Sequence, residues 1–217
     1  MMDSTSGIVR IAVFYDGTFF SKMSGYYRFQ HKRQHHLTFT GLHEFIRHKI
    51  AEKEQVDAAF CQIVEAHFFR GRFSLTAAKA AKALESDRFM DQLLMYAGIV
   101  SHYYPMNENT TPPEEKGIDV WLALEAYDLA VHKRFDVLVL VTGDQDFVPL
   151  IRKVNGIGTR VMLLADDVQW TENDGSLRHI NTAQRLLEEA AYPILLSHEI
   201  DARTAKNDRI IDGLFQK

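Results

Sequence analysis

The chain has 217 residues, 46% hydrophobic and 25% charged, with five prolines and a formal net charge of −4 at pH 7. This composition excludes a disordered polymer and supplies enough apolar material for one large domain. The acidic balance excludes coating of nucleic acid by bulk positive charge, and the single cysteine, Cys61, excludes an intrachain disulfide framework or a cysteine-rich zinc site.

The chain opens on MMDSTSGIVRIAVFYDG, which lacks a basic segment followed by a long apolar stretch. No apolar run reaches the ~18 residues that span a bilayer. These features predict no membrane span, no secretion signal and a reducing, cytoplasmic setting.

In chain order, residues 8–15 form an apolar run expected as the first buried strand. Residues 21–37, which include YYRFQHKRQHH, read as an irregular aromatic and basic stretch before a helix at 42–53. A strand is expected at 58–64, one long helix at 75–96 and a strand at 99–104. The segment PMNENTTPPEEKG, residues 105–117, reads as a loop. A helix at 118–134, a strand at 137–142, a helix at 147–154, a strand at 159–164, a helix at 183–189 and a strand at 192–196 follow. The alternation predicts an α/β fold, a doubly wound, mostly parallel sheet flanked by helices. Residues 1–200 are read as the domain and 201–217 as a C-terminal extension. No internal repeat is visible, and the sequence leaves homo-oligomerisation open.

In such sheets ligands bind beyond the carboxyl ends of the strands, where strand order reverses. Asp16 ends the first strand, Asp144 and Asp146 follow the fourth, and Asp119 opens the helix after the long loop, so all four are expected at one edge. Each alone is equally well read as a helix cap. As a set they are expected to repel unless a cation is shared, and all-oxygen ligation suits Mg²⁺ or Mn²⁺. That is the donor set of metal-assisted phosphodiester hydrolysis.

The runs FYDGTFF, KGIDVWLALEAYDLA and FDVLVLVTGDQDFVPLIRKVNGIGTRVMLL resemble, in order and spacing, the NYN domains of the LabA-like group within the PIN nuclease superfamily. The resemblance implies that Asp16, Asp119, Asp144 and Asp146 are catalytic and hold Mg²⁺ or Mn²⁺ for cleavage of RNA. It puts Thr142 at the Ser/Thr position before the acidic pair and Lys116 beside Asp119, where it would meet substrate phosphate. Two positions depart from the family pattern. Phe19 stands where Asn is usual, so one polar contact is either missing or supplied by Thr18, and Ala190–Ala191 replaces a common Ala-Asp pair.

The string DGT also occurs in haloacid-dehalogenase-type phosphatases, but the nucleophile's position is Phe14, so that chemistry is excluded. His31, His35 and His36 read as a solvated segment rather than a metal set. Arg28, Lys32 and Arg33 among Tyr26, Tyr27 and Phe29, and Arg70 and Arg72 in HFFRGRF, are candidate contacts to RNA phosphates and bases. The expected activity is therefore a metal-dependent endoribonuclease, with an RNA-binding or scaffold protein of the same fold as the alternative.

Overall fold

The computed structural model describes residues 7–172, 174–203 and 208–215. Its main sheet has six parallel strands in the order β3-β2-β1-β4-β5-β8. These are β1 (Val9–Asp16), β2 (Cys61–Arg72), β3 (Val100–Pro105), β4 (Val137–Val141), β5 (Arg160–Ala165) and β8 (Tyr192–Leu195). Helices connect them: α1 (Gly17–Phe29), α2 (Phe39–Glu54), α3 (Leu75–Ala80), α4 (Leu84–Tyr96), α5 (Ile118–Lys133), α6 (Val148–Gly156) and α7 (Gln184–Glu189). An antiparallel pair, β6 (Val168–Thr171) and β7 (Leu177–Ile180), and two short helices, α8 (Leu196–Arg203) and α9 (Arg209–Gly213), complete the described chain.

The doubly wound parallel sheet expected from the alternating pattern is present, with β1 and β4 adjacent at its centre. Successive strand residues point to opposite faces, so complete burial of both Phe14 and Tyr15 requires cover on both sides. On one face Phe14 stacks on His67, and Phe69 meets Trp121 of α5 edge-on. On the other, Tyr15 meets Phe20 of α1 and Phe39 of α2 edge-on. Ile211, Leu214 and Phe215 near the C-terminus join the same hydrophobic core.

Four local differences from the sequence expectation stand out. Residues 17–29 are helical rather than irregular, because Asp16 caps α1 and Phe19, Phe20, Met23 and Tyr27 are buried along it. Packing outweighs the weak intrinsic propensity of this aromatic, glycine-containing segment. The single helix expected at 75–96 is two, separated where Lys82 takes φ 54°. Residues 58–60 form a turn of 3-10 helix, and β2 runs through Arg72, so Arg70 and Arg72 lie within the strand rather than beyond it. The β6–β7 hairpin was not anticipated.

Two buried tyrosines have opposite polar circumstances. The Tyr27 hydroxyl donates to Asp166 Oδ2 at 2.8 Å, whereas the buried Tyr15 hydroxyl has no hydrogen-bond partner among the described residues. An unsatisfied buried hydroxyl costs about 1–3 kcal/mol. Tyr15→Phe is therefore expected to leave stability unchanged or raise it by about 1 kcal/mol, and Tyr27→Phe to lower it by a similar amount. Denaturant unfolding of both variants checks this, and a loss on Tyr15→Phe would contradict it.

Candidate active site

The chain winds from β1 toward β2 on one side and from β4 toward β5 on the other, which opens a crevice at the carboxyl ends of β1 and β4. Asp16 is both the last residue of β1 and the N-cap of α1. Its Oδ1 accepts from the Thr18 and Phe19 amides, each at 3.0 Å, and its Oδ2 from Thr142 Oγ1 at 3.1 Å. Burial lifts its pKa above the ordinary aspartate value, against the hydrogen bonds from Phe19 and Thr142, while Glu115 adds repulsion.

Thr142, fully buried at the end of β4, ties the two strand ends together. Its hydroxyl donates to Asp16 and accepts from the Asp144 amide at 3.3 Å. Asp144 in turn caps the one-turn helix Gln145–Phe147, accepting from the Asp146 amide at 2.9 Å. Both acids of this pair remain exposed. Gly143, between Thr142 and Asp144, has no room for a side chain, since a Cβ would lie 2.8 Å from both Asn181 O and the Phe19 ring.

Asp119 is the second residue of α5, which Gly117 starts with φ 83°. Its pKa is pushed up to about 6, first by partial burial and then by the charges of Asp16, Asp144, Glu115 and Asp146. Three of the predicted aspartates thus act electrostatically on the fourth, Asp119. The cap and site readings of Asp16 and Asp144 hold together, because each carboxylate binds backbone amides and still adds charge to the crevice.

Glu115 is a fifth acid that the sequence reading missed. It accepts from Thr18 Oγ1 and from the Gly71 amide, both at 2.6 Å. The 105–117 segment is pinched by paired hydrogen bonds between Asn107 and Glu114 at 2.9 and 3.2 Å, which turns the next residue inward. Nothing in PPEEKG marks which glutamate enters. Glu114 stays outside, 3.3 Å from the exposed Lys116.

The predicted basic contacts divide. Arg70 and Arg72 lie beside Thr18 and Glu115 around a cavity of about 350 Å³ next to the acids. Arg70 is loosely paired, 3.9 Å from Asp87, while Arg72 is held at 2.6 Å by Asp91. Arg28, Lys32 and Arg33 are not brought to the crevice. Arg28 is twelve residues along from Asp16, roughly 18 Å at 1.5 Å per helical residue. Lys32 pairs with Asp201 at 3.1 Å and Arg33 with Asp212 at 2.6 Å. His31, His35 and His36 do not converge either. His31 pairs with Asp201 at 3.3 Å and His36 with Ser24 at 3.2 Å.

Among the described residues, no three carboxylate, imidazole or thiol groups form a ready-made metal cage. The crevice nevertheless fits a hard divalent cation by its donor chemistry. Its ligating groups are all oxygen, and Mg²⁺ typically needs only one or two carboxylates, with water and phosphate completing its shell.

The raised pKa of Asp119 has a stability consequence of definite sign. Below about pH 3.8 the group is neutral in both folded and unfolded chains and contributes no penalty. As pH rises toward about 6 the unfolded chain ionises more readily than the folded one, so stability is lost, and the loss is complete above that range. Asp119→Asn is therefore expected to gain stability over wild type progressively between these limits, with a plateau at neutral pH. Melting temperatures across pH 3–8 measure it, and a difference independent of pH would contradict the electrostatic reading.

Comparison with known proteins supplies the family. A solved structure of a protein of unknown function from Vibrio parahaemolyticus is similar to the chain with a TM-score of 0.55 at 15% identity, covering 88% of this chain and 94% of that one. At that identity the likeness is one of fold alone. No curated protein matches. The family model for the NYN domain matches residues 10–201 and takes in every acid of the crevice. The chain belongs to the NYN domain family.

Proposed function

We propose that the protein is a metal-dependent endoribonuclease of the LabA-like, PIN-related type, working in the cytoplasm. NYN domains are nuclease-like. The observation that carries the reading is the state of Asp119, whose carboxyl is lifted to about 6 partly by the converging charges of four other acids at the strand-order switch. Strongly perturbed groups in a crevice favour a functional site over a structural one. No helix among the described residues is long and apolar enough to cross a membrane.

In this reading Asp16, Asp119, Asp144 and Asp146 hold Mg²⁺ or Mn²⁺. The bound cation supplies charge neutralisation at the scissile phosphate and acidifies water for attack on it. Thr142 fixes the spacing of Asp16 and Asp144, since one hydroxyl bonds both residues. Thr18 and Glu115 set the wall toward Arg70, and Arg70 and Arg72 border the cavity that the RNA backbone would enter. Lys116 is 71% exposed, so it can exchange Glu114 for a phosphate at little cost.

One observation favours the scaffold alternative. Where the family usually carries Asn, the Phe19 side chain packs against Gly143 with only 9% exposure, so that position offers the crevice no amide. Incubation of single-stranded and structured RNA with Mn²⁺, Mg²⁺ or EDTA separates the two readings. The nuclease reading expects metal-dependent cleavage that falls more than about tenfold in Asp144→Asn. Binding of RNA with no metal-dependent cleavage would favour the scaffold.

A further inference from the structure

A second concavity lies away from the acids. It has a volume of about 470 Å³ and is walled by α1, by the Leu37–Thr40 entry to α2, and by α4. Concave, mostly apolar sites of this size with a few convergent polar groups are the usual form of a small-molecule pocket.

The helix patterns explain why it is open. On α4 the positions Ser86, Phe89, Met90, Leu93 and Tyr96 recur at helical spacing and face the cavity, yet only Leu94 of that helix is fully buried. Phe89 stays 54% exposed and Tyr96 78%. An apolar stripe is thus presented to a hollow rather than to protein.

The polar groups gather at one end. Phe20 and Ser24 line the cavity, and Arg28 follows them at the same interval of four on α1, beyond the lining and near His36. Ser24 Oγ accepts from the Leu37 amide at 3.2 Å and pairs with His36 Nδ1, also at 3.2 Å. Burial and the nearby Arg28 charge hold the His36 pKa below its ordinary value, which keeps the ring neutral at pH 7. Phe29 meets His36 edge-on at 6.0 Å. The cavity lining contains no carboxylate. Among the described residues Arg28 has no acidic partner, and its Nη1 donates only to the Gln34 carbonyl.

We propose that this cavity binds a small amphipathic anion, a medium-chain or aryl carboxylate, with its apolar body against Phe20, Met90 and Leu93 and its head toward Arg28 and His36. Charge complementarity selects the class. A guanidinium with unused donors stands just beyond the His36 end, the imidazole there is neutral, the lining offers no acid to repel an anion, and the walls offer apolar surface. The site is independent of the crevice and of the activity proposed there.

Calorimetric titration of the full chain with decanoate, decanol and decylamine tests the proposal. Decanoate is expected to bind saturably at one site and to raise the melting temperature, with decylamine much weaker. Arg28→Gln should weaken decanoate about tenfold, the loss of one charge-assisted contact, while leaving decanol unchanged. Leu93→Trp should fill the hollow and abolish both. Thr40→Trp, at an exposed mouth position, is the control should the Leu93 variant misfold. No saturable binding by wild type, equal affinity for the acid and the amine, or retention of binding in a folded filled variant would overturn it. So would a dimer, broken by Phe89→Ser, in which the cavity is refractory to decanoate, since a second copy would then cover the face.

Discussion

Like charges forced to the same end of two neighbouring strands are the constraint on which the candidate site of this fold depends. Parallel β1 and β4 place Asp16 and the Asp144–Asp146 pair at one edge, and the start of α5 brings Asp119 to the same crevice. Separately, Asp16 and Asp144 are ordinary caps. Together they raise the cost of ionising Asp119, and a protein relieves such a cost by protonation or by sharing a cation. The surrounding structure keeps them there through Thr142, whose single buried hydroxyl links Asp16 to Asp144.

That tension is carried by a core with little give. The inner strands β1 and β4 are buried on both faces, and the aromatic layers around Phe14 and Tyr15 lock α5 to one side and α1 and α2 to the other. The capping carboxylates therefore sit at the ends of closely packed elements, Asp16 closing β1 and Asp144 capping the one-turn helix that follows β4. Glu115 is the exception. It reaches the crevice from the long 105–117 segment, and its bonds to Thr18 and Gly71 connect that segment to the start of α1 and the end of β2.

Much of this was legible from the chain. Continuous apolar runs such as VLVLV specify strands covered on both sides, and an aspartate directly after such a run must lie at the sheet edge. The four aspartates followed from those two facts and from the family likeness. The rest depended on packing that no local pattern encodes. Helix α1 was hidden because its aromatic and glycine residues favour no helix alone. Glu115 looked like one more solvated charge. The basic residues at 28–33 looked like an RNA surface, yet the direction of α1 carries them away from the crevice, where Lys32 and Arg33 find acids near the C-terminus. The hollow in front of the apolar residues of α4 shows only in their three-dimensional placement.

Metal-linked stability reaches the central claim most directly, because it reads the convergence of the acids without requiring the right RNA. With Mn²⁺ or Mg²⁺ at ~100 times its dissociation constant, a cation binding only the folded state should stabilise it by about 2.7 kcal/mol. The account predicts that the wild-type melting temperature rises with metal. It also predicts that Asp144→Asn and Asp146→Asn, each removing one charge, are at least as stable as wild type without metal and lose most of the rise. A wild-type curve unmoved by millimolar metal, with both variants simply destabilised, would make these aspartates structural caps and contradict the account.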